Sequence, residues 1–251
     1  NADMGEGFGA YDIGDDDAIL KIIRSASVAC GFHAGDPIVM RRVVVRAKEE
    51  GVSVGAHPGF NDLWGFGRRR IHMNTDELEY TIAYQIGALQ ALAAYAGMTV
   101  THVKPHGALN NMAAEDREIA EAIGRALKVV DPALIYVALA GSEMQNAGEA
   151  LGLTTACEGF ADRLYEDDGN LTPRRIEGSV IRDPATARAR VVEMVRDQTI
   201  VSRSGKRVPR RLDSICIHGD EPTAVAVGQA VRAGLEAEGI AVVPLPEMDL
   251  G

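Results

Sequence analysis

Short apolar runs carrying Val, Ile or Thr recur along this chain, and between them lie longer stretches whose apolar residues fall at helical spacing. That alternation limits the possible folds more than any other feature. The runs are 1–4, 26–30, 52–56, 100–104, 134–139, 154–157, 214–217 and 240–243. Their nearly continuous apolar character suits strands buried on both faces. Helices are predicted over 37–50, 75–96, 116–128, 142–150, 184–197 and 222–238. In the first of these, Met40, Val43, Val44 and Ala47 share a face and Gly51 can end the helix. The second opens on a capping-box pattern, Asn74 with Glu77, and Gly97 closes it; Gly239 closes the last in the same way.

Strands that alternate with helices build parallel βα units. Seven to eight of them predict an α/β fold, a single irregular (β/α) barrel over 1–251, with a doubly wound open sheet as the rival. In both architectures ligands bind beyond the carboxyl ends of the strands. Two stretches break the rhythm. Residues 158–182 are long, polar and glycine-containing, and 199–212, with Ser204-Gly205-Lys206 between Val201 and Val208, reads as a hairpin. Both are expected near the site or at an interface.

Composition narrows the function classes. With 251 residues, 46% of them hydrophobic, the chain can bury a core without a disulfide or metal staple. Cys30, Cys157 and Cys216 are odd in number and widely spaced, which points to a reducing compartment, the cytoplasm, rather than a disulfide framework. The net charge of −10 gives no electrostatic footprint for nucleic acid or an anionic membrane. No apolar run is as long as a membrane span and no secretory pattern stands at the start. The chain begins at Asn1 rather than Met, so the first strand is expected to be truncated.

Polar residues and glycines cluster directly after the predicted strands: Asn1-Ala2-Asp3-Met4-Gly5-Glu6, Gly31-Phe32-His33-Ala34-Gly35-Asp36, His57-Pro58-Gly59, Lys104-Pro105-His106-Gly107, Glu158-Gly159-Phe160-Ala161-Asp162-Arg163 and His218-Gly219-Asp220. Glycine there allows tight turns and close approach of the backbone to a ligand. Six such clusters at equivalent places mark a site without fixing its chemistry. His33, His57, His106 and His218 are candidate acid–base groups or metal ligands. Each alone is as well explained by a loop hydrogen bond; the four together are not. His72 lacks such a setting, and His102, inside a strand, is expected in the core.

Asp3, Glu6, Asp36, Asp162 and Asp220 are the acidic candidates, able to orient imidazoles, activate water or hold metals. Asp36 and Asp220 precede helices and can equally be caps. Lys104 can hold a carboxylate or an oxyanion. Gly65-Phe66-Gly67-Arg68-Arg69-Arg70 can grip an anion through Arg forks, or be a solvated loop. Cys30 reads better as a small buried hydrophobe than as a nucleophile. No GxxxxGK[ST] pattern is present.

These motifs together resemble the LamB/YcsF family of 5-oxoprolinase A subunits over nearly the whole chain. The matching stretches also include Tyr84-Gln85-Ile86-Gly87-Ala88-Leu89, Phe160-Ala161-Asp162-Arg163 with Tyr165, and Ile215-Cys216-Ile217-His218-Gly219-Asp220. Asn110 stands where the family usually has Tyr and Ser27 where it has Asn, which puts any tyrosine hydroxyl role at 110 in doubt. The resemblance implies a barrel related to polysaccharide-deacetylase-like barrels. It also implies ATP-dependent opening of 5-oxoproline to L-glutamate, with ATP as co-substrate of a complex containing partner subunits B and C. On that expectation the catalytic group is Asp3, Glu6, His33, His57, Lys104, His106 and His218, and Arg68, Asp162, Arg163 and Asp220 bind substrate. His106 or His218 would protonate the departing nitrogen. A metal-dependent deacetylase-like amidohydrolase and a non-catalytic binding subunit are the rival readings, and whether a metal is bound stays open.

Overall fold

The computed structural model describes residues 1–220 and 222–250. Seven parallel strands close into a barrel: β1 (Ala2–Met4), β2 (Ser25–Ala29), β3 (Ser53–His57), β4 (Val100–Val103), β5 (Ile135–Leu139), β6 (Thr155–Phe160) and β9 (Ser214–His218), with β9 pairing back onto β1. The short apolar runs thus form a closed sheet, the seven-strand end of the expected range. The run 240–243 is not a strand. Ile240 and Val242 pack on the core, but Pro244 follows at once and the barrel is already closed by β9, so no edge is left for an eighth strand.

Alternation along each strand sorts side chains between the barrel interior and the helical layer. Tyr136 of β5 faces outward, where its hydroxyl lies 3.4 Å from the Ala120 carbonyl of α5 (Arg117–Val130). Its neighbours Ile135 and Val137 face inward, and with Ala156 they meet Leu245 and Leu250 from the C-terminal segment. That segment plugs the barrel at the amino ends of the strands. The larger core lies between sheet and helices, where Met40, Val43 and Val44 of α2 (Pro37–Glu49) and Ile82, Ile86 and Leu89 of α3 (Thr75–Tyr95) are buried.

The helices follow their caps. Asp36 accepts from the amides of Ile38 and Val39 at 2.7 and 3.2 Å, and Asn74 from Glu77 at 2.8 Å. Also present are α6 (Glu143–Ala150), α7 (Pro184–Asp197) and α8 (Ala224–Ala237), close to the predicted spans. Two helices lie where the sequence pattern predicts loops: α1 (Asp16–Leu20) and α4 (Gly107–Glu115). The stretch 199–212 is a hairpin, with β7 (Thr199–Val201) antiparallel to β8 (Arg207–Pro209). No helix among the described residues is long and apolar enough to cross a membrane.

Candidate active site

The carboxyl ends of the strands carry the polar clusters. Asp3 lies in β1 opposite His218 of β9; His57 ends β3; Lys104 and His106 follow β4; Glu158 is on β6. Asp3, His57, Lys104, His106, Glu158 and His218 line one cleft of about 690 Å³, with Arg68, Arg163 and Arg174 at its walls. A second, more basic hollow bordered by Arg68, Arg70, Arg163 and Arg175 adjoins it. An apolar pocket lined by Ile23, Leu235 and Val243 is separate from this cleft.

Lys104 is 2% exposed, so its ammonium must be satisfied by protein. It forms an ion pair with Asp3 and reaches Glu158 at 3.2 Å, Asn1 Oδ1 at 3.3 Å and Cys216 Sγ at 3.0 Å. Burial favours the neutral amine, but the attraction of Asp3 and Glu158 outweighs it and holds the pKa well above the usual lysine range. Burial likewise opposes ionisation of Asp3, and His57 and Lys104 together overcome it. The Cys216 thiol is pushed well up by burial and is a neutral neighbour.

Glu6, His33, His57 and His106 form a second buried group. The His33 and His106 rings stack at 3.7 Å, and both reach Glu6 Oε1, at 3.3 and 3.2 Å. His57 Nε2 lies 3.3 Å from Asp3 Oδ2 and 3.0 Å from His106 Nδ1. The outer nitrogens donate to backbone: His57 Nδ1–H to the Lys104 carbonyl at 2.6 Å and His106 Nε2–H to that of Phe66 at 2.8 Å. Phe66 is held in the left-handed region at φ 54°, where its carbonyl can meet the ring. Gly67 beside it leaves no room for a side chain, since a Cβ would lie 2.7 Å from His33 Cβ and 2.8 Å from His106 Cδ2. Burial pushes the His33 pKa down to about 3 and lowers that of His106. Burial opposes the charge on Glu6, but its contacts with His106 and His33 outweigh this and hold the carboxyl below the usual range.

His218 stands apart from this group. Its Nδ1 donates to both oxygens of Asp162 at 2.9 Å, so Nε2 is the nitrogen left to exchange a proton with a ligand. Burial raises the Asp162 pKa, but the attraction and hydrogen bond of His218 lower it further. Arg163 is 5% exposed; one arm donates to the Thr172 carbonyl at 2.6 Å and its buried Nε has no partner. Burial and then the repulsion of Arg174 bring its pKa down to about 10, still a cation at neutral pH. Arg68 pairs with Asp220 at 2.7 Å and its guanidinium lies over the Phe66 ring.

All eleven candidates therefore lie at this end of the barrel, in three arrangements: the Lys104–Asp3 pair, the Glu6–histidine group, and the His218–Asp162 and arginine side. Glu6, His33, His57 and His106 have donor atoms all within 4.8 Å of one another, as do Asp3, Cys216 and His218, so both sets have metal-ligand spacing. Asp36 is a cap whose other oxygen accepts from Gly9 at 2.7 Å, tying the loop after β1 to α2. Asp220 pairs with Arg68 rather than capping. Cys30 is buried, with its thiol pushed up to about 12, so it is no nucleophile. His102 is buried in the core and His72 is exposed. Three further groups at the site are not singled out by the sequence: Glu158, Cys216 and the Phe66 carbonyl. Only Glu158 has a usable signal, a carboxylate among the polar residues ending an apolar run.

The chain is 55% identical over 245 residues to the A subunit of 5-oxoprolinase from Rhodopseudomonas palustris strain BisB5, covering 97% of this chain and 96% of that one. It is 49% identical to the corresponding 5-oxoprolinase A chain of Natranaerobius thermophilus, covering 96% and 94%. The crystal structure of a lactam utilization protein from Thermus thermophilus superposes with a TM-score of 0.92 at 43% identity, covering 98% of each chain. A putative cellobiose-phosphate cleavage protein from Enterococcus faecalis shares the fold alone, at a TM-score of 0.56 and 11% identity over 97% of this chain and 95% of that one. The LamB/YcsF family pattern matches residues 1–250, and the chain belongs to the LamB/YcsF family.

Proposed function

We propose that this chain is the A component of a 5-oxoprolinase, which opens the 5-oxoproline ring to L-glutamate in the cytoplasm with partner subunits B and C and with ATP as the complex's co-substrate. The observation that carries the reading is the His218–Asp162 pair facing the same cleft as the Lys104 ammonium and the Arg163 guanidinium. It sets an acid–base group beside two cations, in a chain that shares 55% identity with a protein named for this activity.

The chemistry asks for that combination. Amide resonance makes the lactam carbonyl a poor electrophile, and phosphorylation of its oxygen by the partner subunits overcomes this. Water then adds to the ring carbon, the carbon–nitrogen bond breaks as the nitrogen takes up a proton, and the resulting γ-glutamyl phosphate is hydrolysed by a second water to glutamate and inorganic phosphate. His218 is better placed than His106 for that proton, because His106 has committed Nε2–H to Phe66 and turns Nδ1 toward Glu6. Arg163, with a buried and unpartnered Nε–H, and Arg68 hold the substrate carboxylate or the phosphoryl group. Asp3, whose oxygens rest on Lys104 and His57, is the group set to orient and deprotonate water.

The test is reconstitution. Subunits B and C with ATP and 5-oxoproline should form glutamate only when this chain is added. Equal glutamate formation without it would overturn the proposal.

A further inference from the structure

We infer that the basic hollow beside the cleft is a phosphoryl-binding subsite, in which Arg68, Arg70, Arg163 and Arg175 hold the phosphoryl group of the phosphorylated lactam while its ring lies in the cleft. The identity of the ligand rests on the ring-opening reading; the anion site rests on the residues themselves. Two arginine-bearing segments from distant parts of the chain meet there. The segment after β3 contributes Arg68 and Arg70, while Arg69 between them pairs with Asp62 instead. The segment after β6 contributes Arg163 and Arg175. Arg68 and Arg163 line both the hollow and the cleft, so one ligand can span the two.

The two shared arginines are fixed by protein contacts, unlike solvated surface chains. Arg68 lies 4.8 Å from the Phe66 ring centre and is anchored by Asp220 at 2.7 Å. Arg163 donates from one arm to the Thr172 carbonyl at 2.6 Å, and its own carbonyl accepts from Arg190 at 2.6 Å. Guanidinium groups already held in place lose little freedom when an anion binds. Their charges also crowd one another. Arg174, at the cleft wall, and Arg68 both repel the Arg163 cation. Glu115, paired with Arg70, is the only acidic residue among the described residues lining the hollow. An anion relieves that crowding. A carboxylate offers two oxygens and a single charge, whereas a phosphoryl group offers three oxygens and a charge of about −2, the better match for four guanidinium groups. The hollow, about 1040 Å³, has no aromatic side chain among its described lining residues, so a nucleobase would find no stacking partner there.

The probe is inorganic phosphate, titrated calorimetrically into the tag-free full-length chain at about 0.15 M chloride, where attraction to exposed charges is screened. One phosphate per chain is expected. Arg163→Gln should weaken binding about tenfold or more, and the double variant Arg70→Gln with Arg175→Gln by a similar factor. Arg117→Gln, which removes an exposed cation paired with Glu121 on the outer helix α5, should leave it unchanged. If Arg163→Gln does not fold, the double variant, whose residues are exposed, decides alone. No binding by the wild-type chain, binding unchanged in the folded variants, or an equal loss in Arg117→Gln overturns the subsite. Pyrophosphate and ADP separate the phosphoryl group from a nucleotide: similar affinities are expected, and ADP binding at least about tenfold tighter, lost in the same variants, would make the hollow a nucleotide site and overturn the assignment. Phosphate binding in a chain whose reconstituted complex forms no glutamate leaves the anion site standing and removes the ring-opening reading. Glutamate formation without phosphate binding removes the subsite alone.

Discussion

Lys104 shows how tightly this site is balanced. Its ammonium is the buried counter-charge for Asp3 and Glu158, and removing one partner of such a pair typically costs about 3–5 kcal/mol. Lys104→Met keeps most of the stem but leaves both carboxylates without their cation. Denaturant unfolding should show a loss of that size, and an unchanged midpoint would mean that the three groups are not ionised together. At this scale the sequence is informative in one direction only. Residues announced by glycine-rich strand ends, such as His57, His106 and His218, all reach the site. Glu158 is harder to see because the apolar run stops at Cys157, whereas β6 continues to Phe160 and turns Glu158 inward onto Lys104. The Phe66 carbonyl gives no sequence signal at all, since what matters is a backbone angle rather than a side chain.

The elements show where pattern reading works and where tertiary context overrides it. The barrel strands and the longer helices follow from apolar period and caps. The helix α4 escapes the pattern because its start is also the Lys104-Pro105-His106-Gly107 motif, although Ala108, Leu109, Met112 and Ala113 repeat at helical spacing and are all buried. The run 240–243 misleads for the opposite reason: an isolated apolar run cannot reveal that the sheet has already closed. Between β3 and β4 the register shifts at Val54 and Gly55, and the His102 ring lies over Gly55 where a side chain would stand. Gly55→Ala should therefore force the ring or the strand aside and destabilise by about 1–3 kcal/mol in denaturant unfolding. A neutral effect would show that the two strands are not held this closely.

Across the whole molecule the barrel has a plugged end and a reactive end, and burial at the reactive end and in the core couples folding to pH. Burial pushes His102 down to about 3, so the folded chain keeps it neutral while the unfolded chain protonates it near pH 6.5. Between these values the unfolded state binds the extra proton. The contribution of His102 is thus complete above pH 6.5 and falls on acidification, by at most about 1.4 kcal/mol per pH unit. Comparing stability from about pH 7 to 4.5 in the wild type and in His102→Gln isolates this group, and the variant should have the shallower acid loss. Parallel curves would show that His102 is not buried as a neutral ring.

The same burial gives the chemical end its division of labour, with Lys104 held charged, His106 tied to backbone, and His218 left with one free nitrogen over the cleft. The measurement that tests this most directly is glutamate formation from 5-oxoproline and ATP by the reconstituted complex carrying His218→Asn, with circular dichroism to verify its fold. A fold like the wild type and a loss of turnover of about 100-fold or more, the scale of general acid–base catalysis, are expected. Turnover equal to the wild type in a folded variant would contradict the role given to His218.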